Sequence, residues 1–380
     1  MDRADGHDPS SSRRASPLPR AHDLEAGQRR NIAVAFVSAF HAPFIDDDYD
    51  TLDTAFRVER LVGHGVIHAV KILCGVRRAR VAFCWFASVY AFIAILSAVI
   101  FSKHSVMVLG GGDVASNPEW RYGMWRSRWR APLLRFALKR ADVILAVDDS
   151  LRLEAMQRAR YEGANIQVLP TGYDIHFWRP SSSKEDIVLT VAVVDSPFRI
   201  AVKGIDTLVA TARLLPHVRF TLVGIAPSIA EALNPPANLT CIGLRSRGEL
   251  LPFYQRARIY CQPSRREGLS NALCEGMLCG CVPVATDVGG TAAAIGGTGV
   301  VVPPSDPVAL ADAIERVRSS SRDGTQARER ASSLFPRERR QRRLREVVRS
   351  LAEEMTWPPA AGSLARAGVT DRAEESWKRS

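Results

Sequence analysis

Ser264-Arg265-Arg266-Glu267-Gly268-Leu269-Ser270-Asn271-Ala272-Leu273-Cys274-Glu275-Gly276-Met277-Leu278-Cys279-Gly280-Cys281-Val282-Pro283-Val284-Ala285-Thr286-Asp287-Val288-Gly289-Gly290 is a turn, a helix, a strand and a second turn. Ile259-Tyr260-Cys261, a short apolar run, stands just before it, so the first turn follows a strand. Ser270 or Asn271 suits the helix cap. Leu269, Leu273 and Met277 then fall on one helical face. Glu267 and Glu275 bracket the helix start. Backbone amides at such a start hold phosphate, and carboxylates accept hydrogen bonds from hydroxyls. A ligand carrying both groups, such as a sugar nucleotide, suits that layout. Two glutamates at this spacing are weak on their own; the strand before and the strand after give them a context.

The chain has 380 residues, 46% apolar and 24% charged, enough for two ordinary globular domains. Its net charge of +11 favours anionic partners: phosphates, anionic lipid or nucleic acid. Seven cysteines show no disulfide framework. Cys274, Cys279 and Cys281 lack the second pair of a zinc knuckle and read as buried thiols in a reducing cytoplasm. Residues 1–30 lack the apolar core of a secretory signal and read as a disordered lead. Residues 357–380 read as a loose tail.

In the first half, residues 32–37 form a continuous apolar run, as in a strand buried on both faces. A loop is expected over 41–50 and a helix over 51–62. Residues 66–73 fit either strand or helix. Residues 81–102 carry no charge and pass for a membrane span by length, but 81–86 reads as a strand and Ala87-Ser88 as the start of a helix. A strand at 105–109 then runs into Gly110-Gly111-Gly112-Asp113. Strand, helix, strand is the doubly wound unit. Residues 120–140 mix tryptophans with arginines, which suits a membrane interface, nucleic acid or a solvated helix face. Asp46-Asp47-Asp48 invites a metal reading, yet its place before a helix favours helix-start charge or solvent exposure. Further strands are expected at 141–147 and 165–169.

Pro170-Thr171-Gly172-Tyr173-Asp174 and Trp178-Arg179-Pro180 mark a boundary. Strands are then expected at 187–194, 218–223, 239–242, 259–261, 282–285 and 300–302, with helices between them and at 306–318 and 338–355. The fold class is therefore α/β, with two Rossmann-like doubly wound domains facing across a cleft. Their expected bounds are 31–180 and 181–335, followed by a C-terminal helix over 336–356.

Several motifs now line up in order: Leu169-Pro170-Thr171-Gly172-Tyr173-Asp174, Arg199 with Lys203-Gly204-Ile205-Asp206, Phe220-Thr221-Leu222-Val223-Gly224, Cys241-Ile242-Gly243, Leu251-Pro252-Phe253-Tyr254, Glu267 through Glu275, and Val302-Pro303-Pro304-Ser305-Asp306. Together they resemble the retaining glycosyltransferases of the GT-B fold, family 4 (glycosyl transferases group 1). The resemblance covers nearly all of 187–318 and is weaker before it. It implies a hexosyltransferase that moves sugar from a nucleotide-diphosphate sugar to an acceptor hydroxyl with retention, in polysaccharide, glycolipid or other glycoconjugate synthesis. By resemblance Arg199 and Lys203 neutralise the diphosphate, and Glu267 holds the transferred sugar near the reacting carbon. Gly268, Leu269, Ser270 and Asn271 supply amides, Glu275 holds the ribose, and Gly243 lies near the base. Asp113 stands in for a catalytic histidine of the N-terminal domain, and Trp85 and Ser88 are acceptor-side candidates, with core packing the equal alternative for Trp85. The nucleotide sugar is a co-substrate, with no cofactor or metal expected.

The chain departs from the family pattern in three places, the first being that the familiar histidine of the N-terminal domain is not obvious. Gly289-Gly290-Thr291-Ala292-Ala293 lacks the usual following glutamate, and Ser38-Ala39-Phe40-His41 replaces a glycine-rich loop after the first strand. The expected partners are the nucleotide sugar, a carbohydrate or lipid-linked acceptor and an anionic membrane surface, with no nucleic acid. The expected location is cytoplasmic, peripheral on the inner face of the membrane. An epimerase or phosphorylase on the same fold is the alternative, and a basic nucleic-acid-binding protein is a second one from another class.

Overall fold

The computed structural model describes residues 32–181 and 183–353; the lead and the tail expected at the two ends lie outside them. The apolar runs of the first half form β1 (Ala33–Ser38), β3 (Val81–Trp85), β4 (His104–Leu109), β5 (Val143–Ala146) and β6 (Ile166–Val168). With β2 (Arg57–Val62) they make one six-stranded sheet, ordered β2-β1-β3-β4-β5-β6 and parallel throughout. Parallel sheets are covered on both faces, so their strands are apolar without alternation. Phe36, Phe83, Met107 and Ile144 are accordingly sealed from solvent.

Helices α1 (Pro43–Asp53), α2 (Gly65–Arg78), α3 (Val89–Ile100), α4 (Arg130–Arg140) and α5 (Asp149–Ala159) connect these strands. The uncharged 81–102 stretch is thus β3 and α3, broken by Phe86 in a left-handed conformation. No helix among the described residues is long and apolar enough to cross a membrane. The undecided segment 66–73 lies inside α2.

One expectation is corrected. Residues 51–62 are not one helix, and 41–50 is not a loop. The helix starts at Pro43, whose fixed φ suits a first helical position, and it ends at Asp53. Arg57-Val58-Glu59-Arg60-Leu61-Val62 is an edge strand, exposed or half-exposed except at Leu61. Val58 between the exposed Arg57 and Glu59 shows a strand's alternation, which the adjacent Arg60, paired with Asp46, then breaks.

The second half repeats the plan. β7 (Glu185–Val194), β8 (Arg219–Ile225), β9 (Leu239–Ile242), β10 (Ala257–Gln262), β11 (Val282–Thr286) and β12 (Val300–Val302) form a parallel sheet ordered β12-β11-β10-β7-β8-β9. Its helices are α6 (Pro197–Lys203), α7 (Ile205–Leu214), α8 (Pro227–Leu233), α9 (Arg247–Arg256), α10 (Asn271–Leu278), α11 (Thr291–Ile295), α12 (Pro307–Arg318) and α13 (Thr325–Leu334). Strand order reverses between β1 and β3 in one sheet and between β7 and β10 in the other. Open α/β sheets bind ligands at such switch points, outside the carboxyl ends of the strands.

The last helix, α14 (Arg337–Ala352), belongs by contact to the first half, since it packs on α1, β3 and β4. The chain therefore crosses between domains twice, and the two crossings pair. Tyr173 N–H donates to the Phe335 carbonyl at 2.9 Å, and Arg337 N–H donates to the Tyr173 carbonyl at 3.1 Å.

A buried ion pair pins α14. Arg340 Nε and Nη2 donate to the two oxygens of Asp48 at 2.7 and 2.6 Å, and Nη1 reaches the carbonyls of Leu169 and Pro170 at 2.9 Å each. Trp85 Nε1 donates to the same carboxylate at 3.1 Å. Both ions are almost sealed from water. Breaking such a pair leaves an uncompensated buried charge, at a cost of about 3–5 kcal/mol. We expect Arg340→Met to lower unfolding stability by roughly 3 kcal/mol or more. The double variant Asp48→Leu/Arg340→Met should be hurt less than the two single variants summed. Urea unfolding checks both; simple additivity would mean that the two groups do not act as a pair.

Candidate functional site

The carboxyl ends of the two sheets face one cavity of about 760 Å³, within the usual range of small-molecule sites. Its floor on the second domain is the β7/β10 switch point, where Thr190, Val191 and Gln262 line it. Past β10 the chain turns through Pro263 and Ser264. Gly204 presses against that turn with φ 62°; a Cβ there would lie 1.9 Å from the Pro263 carbonyl oxygen. The close approach sets Lys203, the end of α6, beside the loop.

Lys203 Nζ lies 2.7 Å from Glu267 Oε1, and Ser264 Oγ donates to the same oxygen at 2.8 Å. Arg199, one turn earlier on α6, sits 3.1 Å from Asp195 and also lines the cavity. Ser270 is the N-cap of α10. Its hydroxyl accepts from Leu273 N–H at 3.3 Å and donates to Gln262 Oε1 at 2.7 Å. The Gln262 amide nitrogen is buried without a partner among the described residues. Asn271 Oδ1 accepts from Tyr173 OH at 2.7 Å, and that hydroxyl is also 2.6 Å from Thr171 Oγ1. The interdomain linker thus braces the start of α10.

Glu275, one turn into α10, is buried and lines the cavity. Tyr254 OH donates to its Oε2 at 3.0 Å. Burial pushes the carboxyl up to about 7, although the Tyr254 hydrogen bond and the Arg247 charge pull the other way.

The first domain supplies the opposite wall. Phe40 and His41, just after β1, line it with Asp47 of α1. Arg247 of α9 spans the cleft, its two terminal nitrogens 3.1 and 2.8 Å from the Asp47 carboxylate. Arg266 bonds Glu154 of α5 as a second bridge between domains. Arg199, Lys203, Arg245, Arg247, Arg337 and Arg340 give the cavity six cationic side chains.

The structure brings together Lys203, Arg199, Glu267, Leu269, Ser270, Asn271 and Glu275 around one cavity. Five expected positions fall elsewhere. Asp113 is buried and accepts from the backbone N–H groups of Ala87, Gly110 and Gly111, so it pins the loop after β4 rather than facing the cleft. Trp85 is core, tied to Asp48 and lying 5.6 Å under the Arg340 guanidinium. Ser88 is the N-cap of α3, accepting from Ala91 N–H. Gly243 stands outside the lining, which takes Leu244 instead. Gly268 packs between domains, where a Cβ would meet Leu151 at 2.9 Å and the Gly110 carbonyl at 3.2 Å.

The three early aspartates serve three separate purposes. Asp46, at the helix start, bonds Arg60; Asp47 bridges the cleft; Asp48 is buried, contrary to the expected exposure. No cluster suited to a metal ion occurs among the described residues. Cys274, Cys279 and Cys281 are buried as expected, as are Cys84 and Cys261; Cys241 is half-buried and Cys74 exposed. Sequence reasoning missed His41, Asp47, Arg247 and Arg337. His41 had one usable signal, its place directly after the first strand.

Residues 186–320 match the family described as Glycosyl transferases group 1. That match spans the second domain from β7 through α12. Over 199 residues the chain is 25% identical to a phosphatidylinositol N-acetylglucosaminyltransferase component from Arabidopsis thaliana, covering 49% of this chain and 44% of that protein. Over 206 residues it is 29% identical to a D-inositol 3-phosphate glycosyltransferase of Mycobacterium leprae, covering 49% and 47%. The chain thus spans about half the length of the curated relatives it matches.

Two solved structures superpose on most of this chain. Sucrose-phosphate synthase from Thermosynechococcus elongatus gives a TM-score of 0.69 at 18% identity, over 85% of this chain and all of the other. Anabaena HepE in complex with UDP and glucose gives 0.70 at 17%, over 84% and all of the other. The architecture is the GT-B fold.

A carboxyl whose folded pKa lies above its ordinary value of 4.5 favours folding fully below that value and loses the contribution as pH rises to about 7. Above pH 7 the buried Glu275 is charged and costly. We expect Glu275→Gln to unfold a few degrees above the parent at pH 8, with the gap closing toward pH 4.5. Thermal scans across pH check this, and a gap that widens as pH falls would contradict it.

Proposed function

We propose that this chain transfers a hexosyl group from a nucleoside-diphosphate sugar to an acceptor hydroxyl, with retention at the anomeric carbon. The observation that carries the reading is the cavity itself. One space is lined by the Lys203–Glu267 pair, Arg199, the capped start of α10 and the buried Glu275. The cations and the helix start suit a diphosphate, and the carboxylates suit hydroxyls.

Glu275 would take the ribose hydroxyls, exchanging a desolvated, under-bonded carboxylate for a hydrogen-bonded one. Glu267 would hold the transferred sugar. In the reaction the bond from the anomeric carbon to the diphosphate oxygen breaks. The acceptor oxygen bonds to the same carbon from the same face, and its proton passes to the departing phosphate oxygen. Arg199 and Lys203 would neutralise charge growing on that phosphate, usually the largest part of such catalysis. Glu267 is held by Lys203 and Ser264, an arrangement unlike the paired carboxylates of retaining glycosidases. The reading calls for no cofactor or metal step. Its acceptor is a carbohydrate or lipid-linked alcohol, in keeping with the inositol-linked names of the curated relatives, and its setting is the reducing cytoplasm.

The test is nucleotide release and product formation from UDP-, GDP- and ADP-sugars, with and without polyol acceptors. Lys203→Ala should cut kcat by about 10²–10³ with a smaller change in KM. Acceptor-independent sugar isomerisation would assign the site to an epimerase instead. No reaction with any donor, or unchanged kinetics in Lys203→Ala, would reject the transferase reading.

A further inference from the structure

Helices α2, α3 and α4 lie side by side on one face of the first sheet. The sequence from Arg60 to Gly112 contains no aspartate or glutamate, and neither does the sequence from Trp120 to Ala141. All three helices are therefore free of acid. On α2 the buried side holds His68, Ile72 and Val76. Its outer side exposes Val66 at 81%, Ile67 at 75%, Val70 and Leu73. Ile100, at the end of the neighbouring α3, is also exposed.

Cations border this apolar ridge. Lys71 and Arg77 stand exposed on α2 itself. Beyond α3, Arg126, Arg128, Lys139 and Arg140 are exposed, and Trp129 projects at 60% with Arg130 stacked 5.1 Å from its ring. An exposed apolar patch of this kind marks an interaction surface. Apolar side chains on one helix, basic rims and an exposed tryptophan are the chemistry of a helix lying in a lipid interface. Lysines and arginines near such a surface are drawn to anionic headgroups. The helices carry no acid of their own, and Glu59, on the edge strand beside α2, is paired with Arg78 at 2.7 Å.

We propose that the α2–α3–α4 face docks on an anionic lipid surface, with α2 lying along the interface and Val66, Ile67 and Val70 inserted. The start of α2 follows β2, so it sits at the carboxyl end of the sheet, the same end at which the cleft lies. A docked enzyme would hold its acceptor wall next to the headgroups. The inference goes beyond the transfer reading and stands or falls separately from it.

The experiment is sedimentation of the full chain with phosphatidylcholine vesicles, with and without phosphatidylglycerol. Binding is expected to the anionic vesicles, at least tenfold weaker to the neutral ones, and reduced by salt. Ile67→Glu/Val70→Glu and, separately, Arg126→Glu/Arg128→Glu should each lower anionic-vesicle binding about tenfold or more. Both pairs alter exposed side chains outside the cavity, so nucleotide-induced thermal shifts should survive, which separates lost docking from lost folding or a lost donor site. Equal binding to both vesicle types, or parent-like binding by both double variants, would overturn the proposal. So would a dimer in sedimentation velocity that Ile67→Glu/Val70→Glu dissolves, or binding to random-sequence RNA tighter than to vesicles.

Discussion

The buried pair between Arg340 and Asp48 is the constraint on which the two-domain arrangement rests. α14 follows the second domain in sequence but lies on the first. The Arg340 guanidinium fastens it there through two hydrogen bonds to the Asp48 carboxylate and one to each of the Leu169 and Pro170 carbonyls. The pairing of Tyr173 with Phe335 and Arg337 ties the two crossings together beside it. Asp47, next to Asp48 on α1, is thereby aimed across the cleft at Arg247. One turn of α1 therefore carries both the anchor of the last helix and a bridge over the cavity.

Charge in the cavity follows from the same geometry. Glu275 is desolvated by the packing of α10, with Tyr254 as its hydrogen-bond donor, and is pushed up to about 7. Such a carboxylate is costly to bury with so few donors, and would gain from any ligand that offers hydroxyls. Lys203 and Glu267 pair across 2.7 Å at the edge of the same cavity. The buried Glu275 thus lowers stability at a place where function would use it, the usual trade between the two.

Much of this fold was legible because parallel strands buried on both faces leave uninterrupted apolar runs, as at residues 81–85 and 282–286. The edge strand β2 was not, because only one of its faces is covered and its charges mimic a solvated helix. Within the site, Glu267 through Glu275 were readable as a unit, since one turn and one helix hold them. The Asp47–Arg247 bridge joins residues 200 apart in sequence, and no local pattern announces such a contact. Asp113 and Trp85 misled for a common reason. A polar or aromatic residue at a strand end can face the cleft or turn back into the core, and only packing decides. Asp113 turned back to hold three backbone N–H groups, and Trp85 to reach Asp48.

The central claim is that the buried Glu275 carboxylate anchors the ribose of a nucleotide. Its most direct test is calorimetric titration of the nucleoside diphosphate that binds best, alongside its 2′-deoxy and 3′-deoxy forms, on the parent and on Glu275→Gln. The account predicts that removing a ribose hydroxyl weakens binding to the parent by roughly tenfold, about the worth of one charge-assisted hydrogen bond, and has little effect on the variant. An equal deoxy penalty in both proteins would contradict it.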